Sequence, residues 1–76
     1  MKELIEFLAK SLVDEPDEVE LRTRNREGAT VIELMVAEND LGKVIGRQGR
    51  TARAMRTLLQ AAGQKNRRRY SLDILD

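Results

Sequence analysis

The chain has 76 residues, the size of one small domain, and its charged residues nearly balance to a net charge of +1. It contains neither cysteine nor histidine, which excludes disulfides, thiolate metal sites and histidine-based catalysis. It shows neither a signal peptide nor an apolar run of about 18 residues, so we expect a cytoplasmic protein without membrane contact.

The first half of the chain predicts a helix followed by a β-hairpin. Apolar residues recur at helical spacing over residues 2–13, and Pro16 ends this amphipathic helix. The residues at every second position, Val19, Leu21 and Thr23, then alternate with charged residues up to Arg24, a pattern typical of a strand with one wet face. The turn residues "NREG" and the run "ATVIELMVA" predict a second strand paired with the first. We expect this second strand to be the best buried.

The second half predicts two helices and a closing strand. Asn39 or Asp40 can cap a very short helix that ends at Gly46. Apolar residues share one helical face over residues 50–62, which predicts a longer helix with Gly63 at its C-terminal cap. The alternating "RRRYSLDIL" predicts the last strand. The order αββααβ indicates an α+β fold, with helices packed on one face of a three-stranded mixed sheet.

Charge is strongly segregated along the chain. Residues 1–40 carry eleven acidic and five basic residues, a net charge of −6, whereas residues 41–76 carry nine basic and two acidic residues, a net charge of +7. No acidic residue occurs between Leu41 and Leu72. The basic half can attract a polyanion, and the alternative that the two halves only neutralise each other stays open.

The segment "LGKVIGRQGR" combines three glycines with three basic residues. Gly46 and Gly49 form a Gly-x-x-Gly turn between the two predicted helices, and the absence of Cβ atoms lets the main chain approach a bulky ligand. The N–H groups that open the second helix add partial positive charge, so a phosphate backbone fits this site. The residues predicted to contact or surround the phosphates are Lys43, Arg47, Gln48, Arg50 and Arg53.

The segment "GKVIGRQGR" resembles the core signature of KH domains, a short apolar helix that ends in Ile-Gly-x-x-Gly. The αββααβ order matches the bacterial type II arrangement. The resemblance covers residues 1–76 as a single KH domain, similar to the small bacterial single-KH-domain RNA-binding proteins. It implies that Ile45 and the loop Gly46–Gly49 bind RNA, with Val44 or Ile45 and strand residues near Val36 as an apolar floor for the bases. Members of the family often have a lysine in the loop, which is absent here.

The resemblance implies a cytoplasmic protein that binds single-stranded RNA as an RNA chaperone or post-transcriptional regulator. It also implies a larger KH-containing protein partner and a link to cell-wall homeostasis and cell length. Two alternatives stay open, an adaptor whose basic face docks an acidic protein and a binder of single-stranded DNA. The small core further predicts a homodimer.

Catalysis, cofactors and metal ions are not expected. The hydroxyl groups of Ser11 and Ser71 have no histidine to act as base, and the scattered carboxylates lack the spacing of a metal site. The basic run Arg67–Arg69 is typical of a solvated strand edge, and a contact with RNA there stays open.

Overall fold

Helices and strands follow one another in the predicted order αββααβ within residues 1–75, the part that this computed structural model describes. The elements are α1 Lys2–Leu12, β1 Glu20–Arg26, β2 Ala29–Met35, α2 Leu41–Ile45, α3 Arg50–Asn66 and β3 Arg69–Leu75. Short 3-10 turns lie at Pro16–Glu18, Glu38–Asp40 and Arg47–Gly49. The predicted fold class is therefore confirmed.

The strand β2 lies at the centre of the sheet. It pairs antiparallel with β1 and parallel with β3, so the sheet is mixed as predicted. Leu21, Leu34 and Ile74 lie in one row across the three strands, on the face that packs against the helices. Four consecutive residues of β2, Val31–Leu34, are buried, whereas the flanking strands are largely exposed. This confirms that β2 is the best-buried strand.

One core joins the helices to the sheet. The helix α1 packs over β1 and α3 packs over β3, while the short α2 contacts both helices. Each fully buried aliphatic side chain in such a core contributes about 1.5–3 kcal/mol. The buried core residues are Ile5, Ala9, Val19, Ile32, Leu34, Val44, Met55, Leu59 and Leu72.

The long helix does not end at Gly63, so that prediction is wrong. The helix α3 continues to Asn66, and Gly63 is buried within it. Arg67 then takes the left-handed conformation, with φ 56° and ψ 40°. The N–H groups of Arg67 and Arg68 donate to the carbonyls of Gln64 and Gly63 at 3.3 and 2.7 Å, which is a Schellman ending. An arginine thus occupies the position that glycine usually takes.

Gly63 is needed for close packing instead of for a helix end. A Cβ atom at Gly63 would collide with the carbonyl oxygen of Arg68 and lie 3.2 Å from the ring of Tyr70. The turn after α3 therefore folds back directly onto the helix backbone. Only a residue without a side chain leaves room for that return.

Candidate nucleic-acid interface

The loop between α2 and α3 depends on backbone conformations that favour glycine. Gly46 has φ 78° and ψ 169°, a combination that is essentially restricted to glycine. Gln48 and Gly49 also have positive φ values, 57° and 74°. The Gly49 N–H donates to the Gly46 carbonyl at 3.1 Å and closes the turn. A Cβ atom at Gly46 would lie 2.7 Å from the Cβ of Thr51, so space as well as conformation requires glycine there.

The N-terminus of α3 is electrostatically open. The helix begins after Gly49 without a side-chain hydrogen bond to cap it, and its first turn contains no acidic residue. Arg50 and Arg53 lie within its first four residues, where the helix dipole already places partial positive charge. Basic residues at this end cost a helix about 0.3–1 kcal/mol each. An anion beside the turn relieves that repulsion.

The side chains predicted to contact phosphate surround this turn on the surface. Arg47, Gln48, Arg50 and Arg53 are all exposed. Arg50 Nη2 donates to Gln48 Oε1 at 3.4 Å, so two of these side chains meet above the loop. The structure therefore brings together a bare turn, a helix N-terminus and three guanidinium groups.

Lys43 is oriented toward carboxylates. Its ammonium group donates to Asp14 and lies 3.5 Å from Asp40 Oδ1. The hydrogen bond from Lys43 to Asp14 outweighs desolvation and, together with the charge of both carboxylates, raises the pKa of Lys43 above its ordinary value of 10.5. Its positive charge is therefore partly neutralised within the protein.

Asp40 does not cap α2 with its side chain, contrary to the sequence prediction for Asn39 or Asp40. Its buried carboxylate accepts the N–H groups of Asp14 and Glu15 at 3.1 and 3.0 Å. Burial opposes the charged form, but these two N–H groups and Lys43 outweigh it and hold the pKa of Asp40 below its ordinary value. Asp40 thus fastens the segment after α1 to the start of α2. No local sequence pattern indicates a contact between residues so far apart in the chain.

The two candidates for an apolar floor differ in exposure. Val44 is fully buried in the core, whereas Ile45, directly before the loop, is 37% exposed. Val36 is half-buried and borders an open cavity of about 720 Å³ near the start of α2. The helix α2 has five residues, about 7.5 Å of axial length, which places this cavity one short helix away from the loop. The other residues lining the cavity are Met35, Glu38, Leu41 and Leu75.

Two other kinds of feature are absent from residues 1–75. No three or more acidic side chains cluster there in a way that could hold a metal ion. None of the helices in this part of the chain is both long and apolar enough to cross a membrane.

Comparison with known proteins relates the whole chain to one family. The family model for the KH domain of KhpA/KhpB matches residues 2–74. The RNA-binding protein KhpA of Borreliella burgdorferi is 57% identical over 74 residues, which cover 97% of this chain and 90% of that protein. The RNA-binding protein KhpA of Treponema pallidum is 48% identical over 75 residues, covering 99% and 94%. That of Halalkalibacterium halodurans is 49% identical over 76 residues, covering 100% of both.

Proposed function

The chain belongs to the KhpA/KhpB KH-domain family, and on that premise we propose that it binds single-stranded RNA through the Gly46–Gly49 loop. The observation that carries the proposal is the junction of this loop with the uncapped, acid-free N-terminus of α3. The name of the relatives, RNA-binding protein KhpA, supports RNA as the ligand. Binding, without a chemical reaction, is the activity that such a site performs.

Each residue of the site has a role in this proposal. The glycines let the RNA backbone approach the main chain, and the N–H groups that open α3 face a phosphate. Arg47 and Gln48 project from the turn and donate hydrogen bonds to phosphate and sugar oxygens. Arg50 and Arg53 add charge-assisted contacts, and Lys43 contributes less because two carboxylates already share its charge.

The bases lie on the apolar side of the loop. Ile45 is the exposed aliphatic residue next to Gly46, and the cavity beside Val36 provides further apolar surface. A KH loop clamps about four nucleotides, so a short single strand fills this site. The bound strand therefore has its phosphates on the glycine loop and its bases toward Ile45.

We propose that the protein acts as an RNA chaperone or post-transcriptional regulator in the cytoplasm, with a larger KH-containing protein as a partner.

A homodimer is also proposed. The residues Phe7 and Leu58 are 68% and 47% exposed, and a second copy would cover such apolar residues. Sedimentation equilibrium tests this, and a monomer at all concentrations would reject it. The link to cell-wall homeostasis and cell length stays a prediction from the family resemblance.

A competition experiment tests the ligand class. A labelled single-stranded RNA is displaced from the protein by unlabelled RNA or by unlabelled DNA of the same sequence, at several salt concentrations. We expect RNA to compete better, because only RNA offers the 2′-hydroxyl group, and we expect affinity to fall as salt rises. Equal competition would identify a general binder of single strands. Affinity that does not change with salt would contradict binding through phosphates and favour an adaptor that docks an acidic protein.

A further inference from the structure

A second group of basic side chains lies at the other end of α3 from the glycine loop. The helix has 17 residues and is about 25 Å long, so the two regions are well separated. Arg26 and Arg69 lie in one row across the sheet, on either side of Ala29. Arg69 Nη2 also donates to the Glu27 carbonyl at 3.3 Å, which joins the β1–β2 turn to the α3–β3 turn. We name this region the basic pole, formed by Arg26, Lys65, Arg67, Arg68 and Arg69.

The charges of the basic pole are available to a ligand. All five side chains are exposed, and within residues 1–75 none of them forms an ion pair. The acidic residue nearest in the chain is Glu27, and Asp73 lies further along β3. The five positive charges of the basic pole thus have at most two negative charges near them, those of Glu27 and Asp73.

Helix electrostatics explains only part of this cluster. Positive charge at the C-terminus of a helix is favourable, which accounts for Lys65 in the last turn. Arg26 and Arg69 belong to strands, so the helix dipole does not explain them. Arg67 also takes a left-handed conformation in which glycine or asparagine would be more stable. The turn therefore contains a positively charged residue at a position where the backbone conformation is unfavourable for arginine.

We propose that the basic pole is a second binding site for RNA phosphates, separate from the glycine loop. This inference rests on the proposed function for the identity of the ligand. The α3 surface between the two sites carries exposed Arg53, Thr57 and Gln64, and no acidic residue occurs anywhere in α3. An RNA strand can therefore run from the loop to the pole without passing a carboxylate. Guanidinium groups suit the pole because they bind phosphate in a bidentate manner.

Two matched triple variants test the proposal. The pole variant carries Lys65→Gln, Arg67→Asn and Arg68→Gln, and the control variant carries Lys2→Gln, Lys10→Gln and Arg22→Gln. Each variant removes three exposed positive charges. Asparagine at position 67 tolerates the left-handed conformation, so we expect the pole variant to fold. Circular dichroism checks the fold of both variants.

The measurement compares two RNAs by fluorescence anisotropy, one of about four nucleotides that fills only the loop site and one of roughly 16 nucleotides. We expect the pole variant to bind the short RNA as the wild type does and the long RNA at least about fivefold more weakly. Its salt slope on the long RNA should be smaller by about 2, since each phosphate contact to a single strand contributes about 0.7. The control variant should keep most of the wild-type affinity and slope.

Equal affinity and slope of the pole and control variants on the long RNA would overturn the proposal. An equal loss on both RNAs would also contradict a separate site. If the pole variant keeps the wild-type affinity for both RNAs but binds an acidic polypeptide more weakly than the wild type does, the proposal is overturned and the pole binds a protein partner instead. Failure of the proposed loop site is recognised separately, because Arg47→Asp with Gln48→Asp would then leave short-RNA binding unchanged.

Discussion

At Gly46 a single hydrogen atom in place of a side chain decides whether the loop forms. The residue has φ 78° and ψ 169°, and Thr51 occupies the space that a Cβ atom would need. Gly42, four residues earlier, offers the opposite case. It lies within α2, and the space that its Cβ atom would take is open, with no neighbouring group within 4 Å. The two glycines therefore share one sequence segment but not one physical role.

We predict that Gly46→Ala destabilises the protein by about 3 kcal/mol, because it adds conformational strain and a collision. The matched variant Gly42→Ala should stabilise the protein by about 0.5–1 kcal/mol, since alanine favours a helix interior. Urea denaturation measures both. Similar free energies of unfolding for the two variants would contradict the structural role assigned to Gly46.

Arg67 provides a second test at the scale of one residue. It holds the left-handed position of the Schellman ending, which glycine occupies at lower conformational cost. We predict that Arg67→Gly raises the free energy of unfolding by about 1 kcal/mol. Arg68→Gly, a loss of the same charge next to it, should lower that free energy. A destabilised Arg67→Gly protein would mean that the arginine side chain itself supports the fold.

Among the elements, the order of helices and strands could be predicted from hydrophobic periodicity, and so could the burial of β2. The end of α3 could not be predicted, because a glycine near a helix end usually marks a cap, whereas Gly63 serves the packing of the following turn. The contact of Asp40 with the N–H groups of Asp14 and Glu15 was also not predictable, since it depends on how α1 and α2 meet.

The packing at Gly63 predicts an unusual result for a helical glycine. Gly63→Ala should destabilise the protein by about 2 kcal/mol, although alanine favours helices, because its methyl group collides with the Arg68 carbonyl. Thermal unfolding followed by circular dichroism measures this. A gain in stability, like that expected for Gly42→Ala, would show that the turn after α3 can move away from the helix.

The attachment of α1 to α2 through Asp40 predicts a pH dependence. The pKa of Asp40 in the folded protein lies below the ordinary value of 3.8, so its charge stabilises the fold fully above that pH. This contribution is lost as the pH falls through the folded-state pKa. Asp40→Asn should lower Tm on the order of 5 °C at about pH 7, because the two N–H groups bind different carboxylate oxygens and asparagine replaces one of these acceptors with an NH2 donor.

The difference in Tm between the wild type and Asp40→Asn should narrow as the pH falls through the folded-state pKa of Asp40, which lies below 3.8, because the wild type loses the same charge there. Asp17→Asn serves as the control, since Asp17 is an exposed carboxylate on the neighbouring turn. We expect this control to follow the wild type at every pH. A difference for Asp40→Asn that stays constant with pH would contradict the role of its charge.

For the whole molecule, the sequence indicated where the glycine turn and the exposed basic residues lie, but not which of those charges are paired within the protein. The Gly-x-x-Gly turn and the acid-free basic half indicated the loop and its exposed arginines. The sequence could not show that Lys43 pairs with Asp14 and Asp40, because those carboxylates come from other elements. Nor could it show that Arg26 joins the run Arg67–Arg69 at one end of the molecule, which follows from strand register.

Binding of the RNA backbone by the glycine loop, as proposed, can be tested with an RNA-binding comparison. Fluorescence anisotropy with a single-stranded RNA pool compares the wild type with Arg47→Asp plus Gln48→Asp over several salt concentrations. Both glycines remain, and aspartate tolerates the left-handed conformation of residue 48, so the fold should persist. The control, Lys2→Asp plus Asn25→Asp, changes the net charge equally at exposed positions away from the loop.

We predict that the loop variant loses at least about tenfold in affinity and has a shallower salt dependence, because it replaces phosphate contacts with repulsive charge. The control variant should stay close to the wild type. If the loop and control variants bind RNA alike while both remain folded, the Gly46–Gly49 loop is not the site that holds the RNA backbone.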